Sequence, residues 1–171
     1  TTIKNCAVRE NGGSLVEGTY RGTIYLSGGS FAATNCDISD NVFDTYIYGS
    51  AVYGVGIFAT GVSLVTLRNC TVDRNRTHVM YVQNQGLGVY VTGGGLQVSG
   101  CTFKGNYGRR AENHAHDDAF GGAIFYGDGA SYRLEITDSL FERNWLNDTG
   151  ALGGCLCIST SGEASLTRCV F

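Results

Sequence analysis

The phrase NCTVDRN, at residues 69–75, recurs with variations along the whole sequence and decides how the chain folds. Its other copies are NCAVREN (5–11), NCDISDN (35–41), GCTFKGN (100–106), DSLFERN (138–144) and the partial copy RCVF (168–171). Measured at the second residue of the phrase, successive copies lie 30, 34, 31, 38 and 30 residues apart. A fixed phrase at variable intervals is typical of a solenoid whose coils share one core and differ in loop length.

Apolar residues alternate on both sides of the second residue of each phrase. Around Cys70 they are Val65 and Leu67 before it and Val72 after it. This alternation predicts strands with one buried face, and the odd step from Leu67 to Cys70 predicts a bend between two strands. A third apolar stretch follows each variable loop: GTIYL (22–26), VGIFA (55–59), LGVYV (87–91), GAIFY (122–126) and GCLCI (154–158).

We therefore predict an all-β fold, a parallel β-helix of about five coils with three strands per coil. Residues 1–171 are interpreted as a single β-helix segment of a longer solenoid.

Two positions of the phrase are predicted to form ladders, because equivalent strands stack about 4.8 Å apart and bring like residues together. The last residue is predicted to cap a turn, where asparagine tolerates left-handed backbone and its amide can bond the neighbouring coil. These residues are Asn11, Asn41, Asn75, Asn106 and Asn144. The second residue is predicted to fill a tight corner as a small apolar side chain. These residues are Cys6, Cys36, Cys70, Cys101 and Cys169. We favour buried thiols here, with inter-coil disulfides as the alternative.

The motifs GGAI (121–124), FKGN (103–106) and FERN (141–144) resemble the GGAI and FxxN repeats of chlamydial polymorphic membrane proteins. They are also similar to related right-handed β-helix repeats of bacterial and protist surface proteins. Other coils carry degenerate versions, such as GGCL at 153–156. The resemblance implies a right-handed β-helix in a secreted or surface region used for adhesion or structure. It implies no catalytic residues.

Charge and hydropathy argue against two classes of partner. The net charge is only −3, so the charge of the chain gives no reason to expect nucleic-acid binding. No apolar run approaches the roughly 20 residues of a membrane helix, so we expect no membrane insertion by this segment. We expect an extracellular or cell-surface protein without a cofactor, whose partners are protein neighbours and glycans.

Three asparagines stand in Asn-x-Ser/Thr sequons: Asn69, Asn75 and Asn147. Asn75 belongs to the predicted ladder, where a glycan would conflict with burial. Asn147, in a loop, and Asn69, at an outward corner, are the candidate N-glycosylation sites.

The longest insertion, at residues 106–122, contains a histidine-rich stretch. Its His114, His116, Asp117 and Asp118 are weak candidates for a metal site, because imidazole and carboxylate groups bind divalent ions. We interpret this insertion as a solvated loop and assign no catalytic residue.

Both faces of the third strand are apolar, which predicts a cover on its outer side. The candidates are the loops at 42–54, 76–86 and 107–120, a neighbouring subunit, or both. We therefore expect the segment in a longer solenoid or a surface filament, as a non-enzymatic structural or adhesive protein. The alternative is a carbohydrate-active β-helix enzyme, of the polysaccharide lyase or hydrolase type, with active residues outside this segment.

Overall fold

The computed structural model describes residues 1–14, 19–45, 51–79, 83–110, 119–127, 133–147 and 153–171. Within these ranges the chain contains 24 strands and no helix, and every strand pairs in parallel with its equivalents in the coils above and below. The predicted all-β parallel solenoid is thereby confirmed. No helix in the described ranges could cross a membrane.

Three sheets correspond to the three strands predicted for each coil. Sheet A contains β1 (Thr2–Lys4), β6 (Ser30–Thr34), β11 (Leu64–Arg68), β16 (Gly95–Ser99), β20 (Leu134–Thr137) and β24 (Ala164–Thr167). Sheet B contains β2 (Ala7–Arg9), β7 (Asp37–Ser39), β12 (Thr71–Asp73), β17 (Thr102–Lys104) and β21 (Leu140–Glu142). Sheet E contains β5 (Ile24–Ser27), β10 (Ile57–Thr60), β15 (Val89–Thr92), β19 (Ile124–Gly127) and β23 (Leu156–Ser159).

Two further sheets lie in segments that the sequence presents as variable loops. Sheet C contains β3 (Gly12–Ser14), β8 (Val42–Thr45), β13 (Arg76–Val79), β18 (Tyr107–Arg110) and β22 (Trp145–Asn147). Sheet D contains β4 (Thr19–Arg21), β9 (Ala51–Tyr53) and β14 (Gln83–Gln85). The coils therefore have more strands than the three predicted. Strands of three or four residues can form here because the neighbouring coil supplies the hydrogen-bonding partner for each one.

The register stacks equivalent residues directly on one another. Val65 pairs with Phe31 on one side and Leu96 on the other, and Ile57 pairs with Ile24 and Val89. The inward rows of sheets A, B and E fill one continuous core with side chains no more than 4% exposed. Its members include Phe31, Ala33, Ile38, Ile57, Val65, Leu67, Val72, Val89, Leu96, Phe103, Ile124 and Ile136. A second cluster, of Phe43, Val52, Val55 and Leu87, lies on the side of sheets C and D.

Left-handed backbone makes the bends between neighbouring sheets. The residue before the cysteine position has a φ of 50° to 60° in every copy: Asn5, Asn35, Asn69, Gly100, Asp138 and Arg168. The residue before the ladder asparagine has a φ of 49° to 60°: Glu10, Asp40, Arg74, Gly105 and Arg143. The sequence-based prediction placed left-handed backbone at the ladder asparagines themselves, whereas the structure places it one residue earlier. The bend occupies the outward residue, which leaves the asparagine free to point inward.

The corner that precedes sheet E requires glycine. Gly54 has a φ of 55°, and a Cβ atom there would lie 2.1 Å from the carbonyl oxygen of Ile57. Gly121, the first residue of the GGAI motif, has a φ of 61° and the same contact with Ile124 O. The motif therefore marks a corner where the backbone is left-handed and a Cβ atom has no space, so that only glycine fits.

The ladder asparagines are bonded amide to amide through the coils. Asn41 Nδ2 donates to Asn75 Oδ1 at 2.8 Å, Asn75 Nδ2 to Asn106 Oδ1 at 3.0 Å, and Asn106 Nδ2 to Asn144 Oδ1 at 2.8 Å. The second hydrogen of each amide goes to a backbone carbonyl of the preceding coil, as from Asn106 Nδ2 to Val72 O at 2.8 Å. The oxygen also accepts a backbone N–H, as from Asn75 to Asn106 at 3.1 Å. Asn41, Asn75 and Asn106 are fully buried.

The outer face of sheet E is covered by the chain itself. Phe58, Tyr90 and Phe125 stack with ring centroids 5.0 Å apart and are only 5–9% exposed. Tyr53 of β9 packs on Tyr90 at 5.0 Å, and Phe120 lies 6.1 Å from Phe125. Tyr53 and Phe120 come from two of the segments expected to supply the cover. The remaining candidates Tyr46, Tyr48, Met80, Tyr81 and His116 lie outside the described residues.

Candidate functional site

A polar groove runs over the outer surface of the corner between sheets A and B, across the first three coils. The groove is shallow and open to solvent, with a volume of about 460 Å³. The left-handed corner residues Asn5, Asn35 and Asn69 line it, together with Asp37 and Thr71 of sheet B. We call this the corner groove.

The three corner asparagines form a row that is more loosely bonded than the inner ladder. Asn35 Nδ2 donates to Asn5 Oδ1 at 3.2 Å, and Asn69 Nδ2 donates to Asn35 Oδ1 at 3.5 Å. All three side chains are exposed. Since an amide carries two N–H donors and one oxygen acceptor, this row retains hydrogen-bonding capacity toward a ligand.

The groove ends at the fourth coil, where Gly100 replaces asparagine. A Cβ at Gly100 would lie 2.5 Å from Asn69 Oδ1, so the side chain of Asn69 occupies this space. The repeat phrase therefore contained a signal for the groove in its first letter, which reads N, N, N and G at residues 5, 35, 69 and 100. Sequence reasoning missed it, since an isolated outward asparagine carries no specific chemistry.

Charged residues continue from the groove across the outer face of sheet B. Arg9 pairs with Asp37, and Arg74 pairs with both Asp40 and Asp73. The contact with Asp40 is bidentate, with two N–O distances of 2.7 Å. Further along the same face, Lys104 Nζ lies 2.9 Å from Glu142, and Arg168 pairs with Asp138 at the corner of the last coils. This face therefore carries charges of both signs that pair with one another.

The carboxyl groups of Asp40 and Asp73 differ in their pKa although they share Arg74. The hydrogen bond from the Arg74 guanidinium lowers the pKa of Asp40. Burial raises the pKa of Asp73, whose side chain is only 10% exposed and whose Oδ1 lacks a hydrogen-bond partner among the described residues. Neighbouring carboxyl groups with pKa values moved in opposite directions are the arrangement that acid–base chemistry uses. Residues in structural ion-pair networks show the same behaviour.

The seven cysteines are all free thiols in the structure. At the ladder position, Cys36, Cys70 and Cys101 are buried, Cys6 is exposed and Cys169 is half-buried. Each donates to the carbonyl two residues earlier, at 3.2 Å from Cys36 to Thr34 and 3.3 Å from Cys70 to Arg68. Ser139 makes the same bond at 2.8 Å, so the hydroxyl and the thiol serve the corner alike. The hydrogen bond with Cys70, together with burial, raises the pKa of Cys101.

The side chains of Cys155 and Cys157 pack against different apolar clusters. Cys155 packs against the main core, and its burial raises the pKa of the thiol to about 11. Cys157 packs against the outer aromatic cluster beside Phe125. No group of three metal-binding side chains occurs in the described ranges.

The remaining sequence-based candidates divide between described and undescribed parts of the chain. The metal candidates His114, His116, Asp117 and Asp118 lie outside the described residues. For the glycosylation candidate Asn147, the structure describes the backbone in β22 but not the side chain. Asn69 is exposed and lines the corner groove, whereas Asn75 is fully buried.

Comparison with known proteins identifies the architecture of the chain. A family described as the right handed beta helix region matches residues 1–171. Neither the curated proteins nor the solved structures contain a match to this chain.

Proposed function

Because the chain belongs to the right-handed β-helix family, whose match spans residues 1–171, we propose that it is an extracellular, non-enzymatic scaffold with a structural or adhesive role. The observation that carries this proposal is the continuous asparagine ladder from Asn11 to Asn144. Buried amides that are hydrogen-bonded from one coil to the next hold the coils together. They therefore keep the residues on the outer surface of the resulting rod in fixed register. Such a rod suits the display of a binding surface.

The resemblance of the GGAI and FxxN motifs to polymorphic membrane proteins supports a location at the cell surface. Protein neighbours that continue the solenoid, within a longer chain or a surface filament, are part of the proposal. The outer aromatic row of Phe58, Tyr90 and Phe125 gives no support for a lateral partner, because Tyr53 and Phe120 already cover it.

The test is a binding survey of the intact protein. Fluorescently labelled protein is applied to a glycan array and to immobilised extracellular-matrix proteins, and the same preparation is assayed for release of reducing sugars from polysaccharides. We expect saturable binding without sugar release. Release of reducing ends would replace the scaffold with an enzyme, and the lack of any binding would remove the adhesive role.

A carbohydrate-active enzyme is the second candidate, favoured by the carboxyl groups of sheet B. Asp73 with its raised pKa lies near Asp37 and Asp40, and both contribute electrostatically to that shift. In glycoside hydrolases, a protonated carboxylic acid donates a proton to the leaving oxygen while a carboxylate activates water. If sugar release is found, the Asp73→Asn variant must abolish it for this site to be responsible. Activity that survives the substitution would assign catalysis to other residues.

A further inference from the structure

We propose that the corner groove binds a neutral, hydroxyl-rich oligosaccharide along the solenoid axis. This proposal gives the adhesive function a ligand class and a location, and it rests on that function. The groove spans three coils, and corresponding residues repeat about every 4.8 Å along it. A linear saccharide chain laid along the axis would therefore meet a similar set of groups at each coil.

The hydrogen-bonding groups of the groove favour hydroxyls. Asn5 Nδ2 donates to no group in the described part of the chain, and Asn35 and Asn69 each use one of their two amide hydrogens, in bonds of 3.2 and 3.5 Å. Thr71 adds a hydroxyl to the lining of the groove. A sugar hydroxyl both donates and accepts, so it can satisfy an amide oxygen and an amide N–H of this row together.

The charges of the groove favour a neutral ligand over an anionic one. Arg9 is the cation that lines the groove, and it is already paired with Asp37. Asp37 Oδ1 is buried and has no hydrogen-bond partner among the described residues, while the side chain as a whole is 28% exposed. A small rotation of this carboxylate would let a ligand hydroxyl donate to it. An acidic saccharide would instead bring a second carboxylate toward Asp37.

The inner ladder provides a built-in reference for the test. Its amides are buried and use both hydrogens and the oxygen within the chain, so a groove ligand leaves them unaffected. Two-dimensional NMR resolves asparagine side-chain amides, which makes the two rows separately observable. The probes are cellotriose, xylotriose, mannotriose and chitotriose, with trigalacturonate as the anionic comparison.

We expect at least one neutral trisaccharide to shift the side-chain amide signals of Asn35 and Asn69 in a saturable manner, with those of Asn75 and Asn106 unmoved. The double variant Asn35→Gly/Asn69→Gly keeps the left-handed corners, since Gly100 occupies the same position naturally. It should weaken binding at least about 5-fold, the usual effect of losing one or two hydrogen bonds.

Two threonines in register supply the matched control. Thr71 and Thr102 pair with each other in sheet B, but only Thr71 lines the groove. Thr71→Val should weaken binding and Thr102→Val should not. Equal effects of the two substitutions would overturn the groove as the site, as would the lack of a shift with every neutral trisaccharide.

The outcomes separate the groove from the wider function. Binding to an array glycan that survives the double glycine variant would leave the adhesive role intact and refute the groove. A protein without any glycan or matrix binding would refute both. The intact mass is measured first, because a covalent glycan on Asn69 would fill the groove and overturn the proposal of a free ligand.

Discussion

Asparagine has two distinct roles at the residue scale, and the phrase that repeats along the chain contains both. Its last residue points inward and is bonded on every side, as Asn75 is. Its first residue, Asn69 in the same copy, stands at a left-handed bend and points outward. Six residues apart, one side chain stabilises the stack and the other is available to solvent.

The inner role predicts a large cost for removing one amide. In Asn106→Ala, the Asn75 N–H and the Val72 carbonyl lose their partner at a site that is fully buried in the native protein. We expect unfolding in urea to report a loss of about 1–3 kcal/mol or more. Asn35→Gly, in the outer row, is the control and should change stability by less than Asn106→Ala. Equal stability of Asn106→Ala and the unmodified protein would contradict a stabilising ladder.

The same division predicts which sequons can carry a glycan. Asn75 is fully buried and donates through Nδ2 to both Ile38 O and Asn106 Oδ1, so a sugar on this nitrogen is incompatible with the fold. In protein from a glycosylating host, peptide mass spectrometry with and without a glycosidase should show modification at Asn147, with Asn69 as the second candidate. Modification of Asn75 in folded protein would be incompatible with the inner ladder.

Sheet B shows at the scale of the element how stacking sets the pKa of a side chain. Asp40 lies on an exposed corner and pairs with Arg74, whereas Asp73 is enclosed by the strands around it. Parallel stacking brings each carboxylate within reach of the charges of the adjacent coil. The hydrogen bond from Arg74 to Asp40 and the burial of Asp73 produce opposite dependences of stability on pH.

The pH prediction compares Asp40→Asn with Asp73→Asn. The pKa of Asp40 is lowered in the folded state, so its stabilising effect is present above its unfolded pKa and is lost as the pH falls through the folded value. Asp40→Asn should therefore be less stable than the parent at pH 7, by under about 1 kcal/mol for so exposed a pair, and equal to it in strong acid. The pKa of Asp73 is raised, so its ionised form opposes folding above the folded pKa. Asp73→Asn should be at least as stable as the parent at pH 7.

Thermal and urea unfolding of both variants from pH 7 down to about pH 2 would measure these differences, because the folded pKa of Asp40 lies below its ordinary value. The parent protein is the reference at each pH. A constant stability difference for Asp40→Asn across this range would show that its ion pair with Arg74 does not stabilise the fold.

Sheet E illustrates how a strand with two apolar faces is accommodated. Its inward residues, such as Val89, belong to the core, and its outward residues form the aromatic stack beneath Tyr53 and Phe120. Tyr90 is central to this stack and 9% exposed, whereas Tyr25 stands at its end and is 49% exposed. Tyr90→Ala should cost about 3–5 kcal/mol, as for other large aromatic side chains in cores. Tyr25→Ala, the control in chemical denaturation, should cost much less; equal losses would mean that the stack is not packed as a second core.

The elements that could be predicted are those in which the inward residue is apolar in every coil. Val65, Val72 and Ile57 mark sheets A, B and E, and their alternation is visible in the sequence. The inward row of sheet C reads Gly13, Phe43, Thr77, Gly108 and Leu146, so it is not apolar in every coil. These strands depend on backbone bonds to the next coil, and a sequence read one coil at a time cannot reveal them. The corner groove was missed for a related reason, since it exists only when three coils are stacked.

At the scale of the whole molecule, the two most exposed large apolar side chains of the described residues stand side by side at the end of the 171-residue chain. Phe171 stacks on Phe141 with ring centroids 4.9 Å apart and is itself 65% exposed, and Val170 beside it is 61% exposed. On the side of the solenoid, Phe58, Tyr90 and Phe125 are covered by Tyr53 and Phe120. For the isolated 171-residue chain, contacts between molecules are therefore expected through its terminal coils.

Association of the isolated 171-residue chain tests this expectation. Light scattering coupled to gel filtration should show a molecular mass that rises with concentration above 18.2 kDa. Val170→Lys/Phe171→Lys should reduce the association, because charge at an exposed strand edge opposes pairing. Thr102→Lys, on the side of the rod, is the control. A monodisperse monomer of the unmodified chain at high concentration would refute end-to-end association.

The inner asparagine row also has a direction. Every hydrogen bond from one ladder amide to another runs toward the coil that follows in the chain, from Asn11 to Asn41, from Asn41 to Asn75 and onward to Asn144. The row is a head-to-tail chain of amide hydrogen bonds. A side-chain oxygen therefore faces one end of the solenoid, and a side-chain N–H faces the other. Two rods that met through identical ends would oppose oxygen to oxygen or N–H to N–H. Unlike ends, in contrast, continue the bonding pattern, so association through the ends favours open, head-to-tail assembly over a closed two-fold dimer.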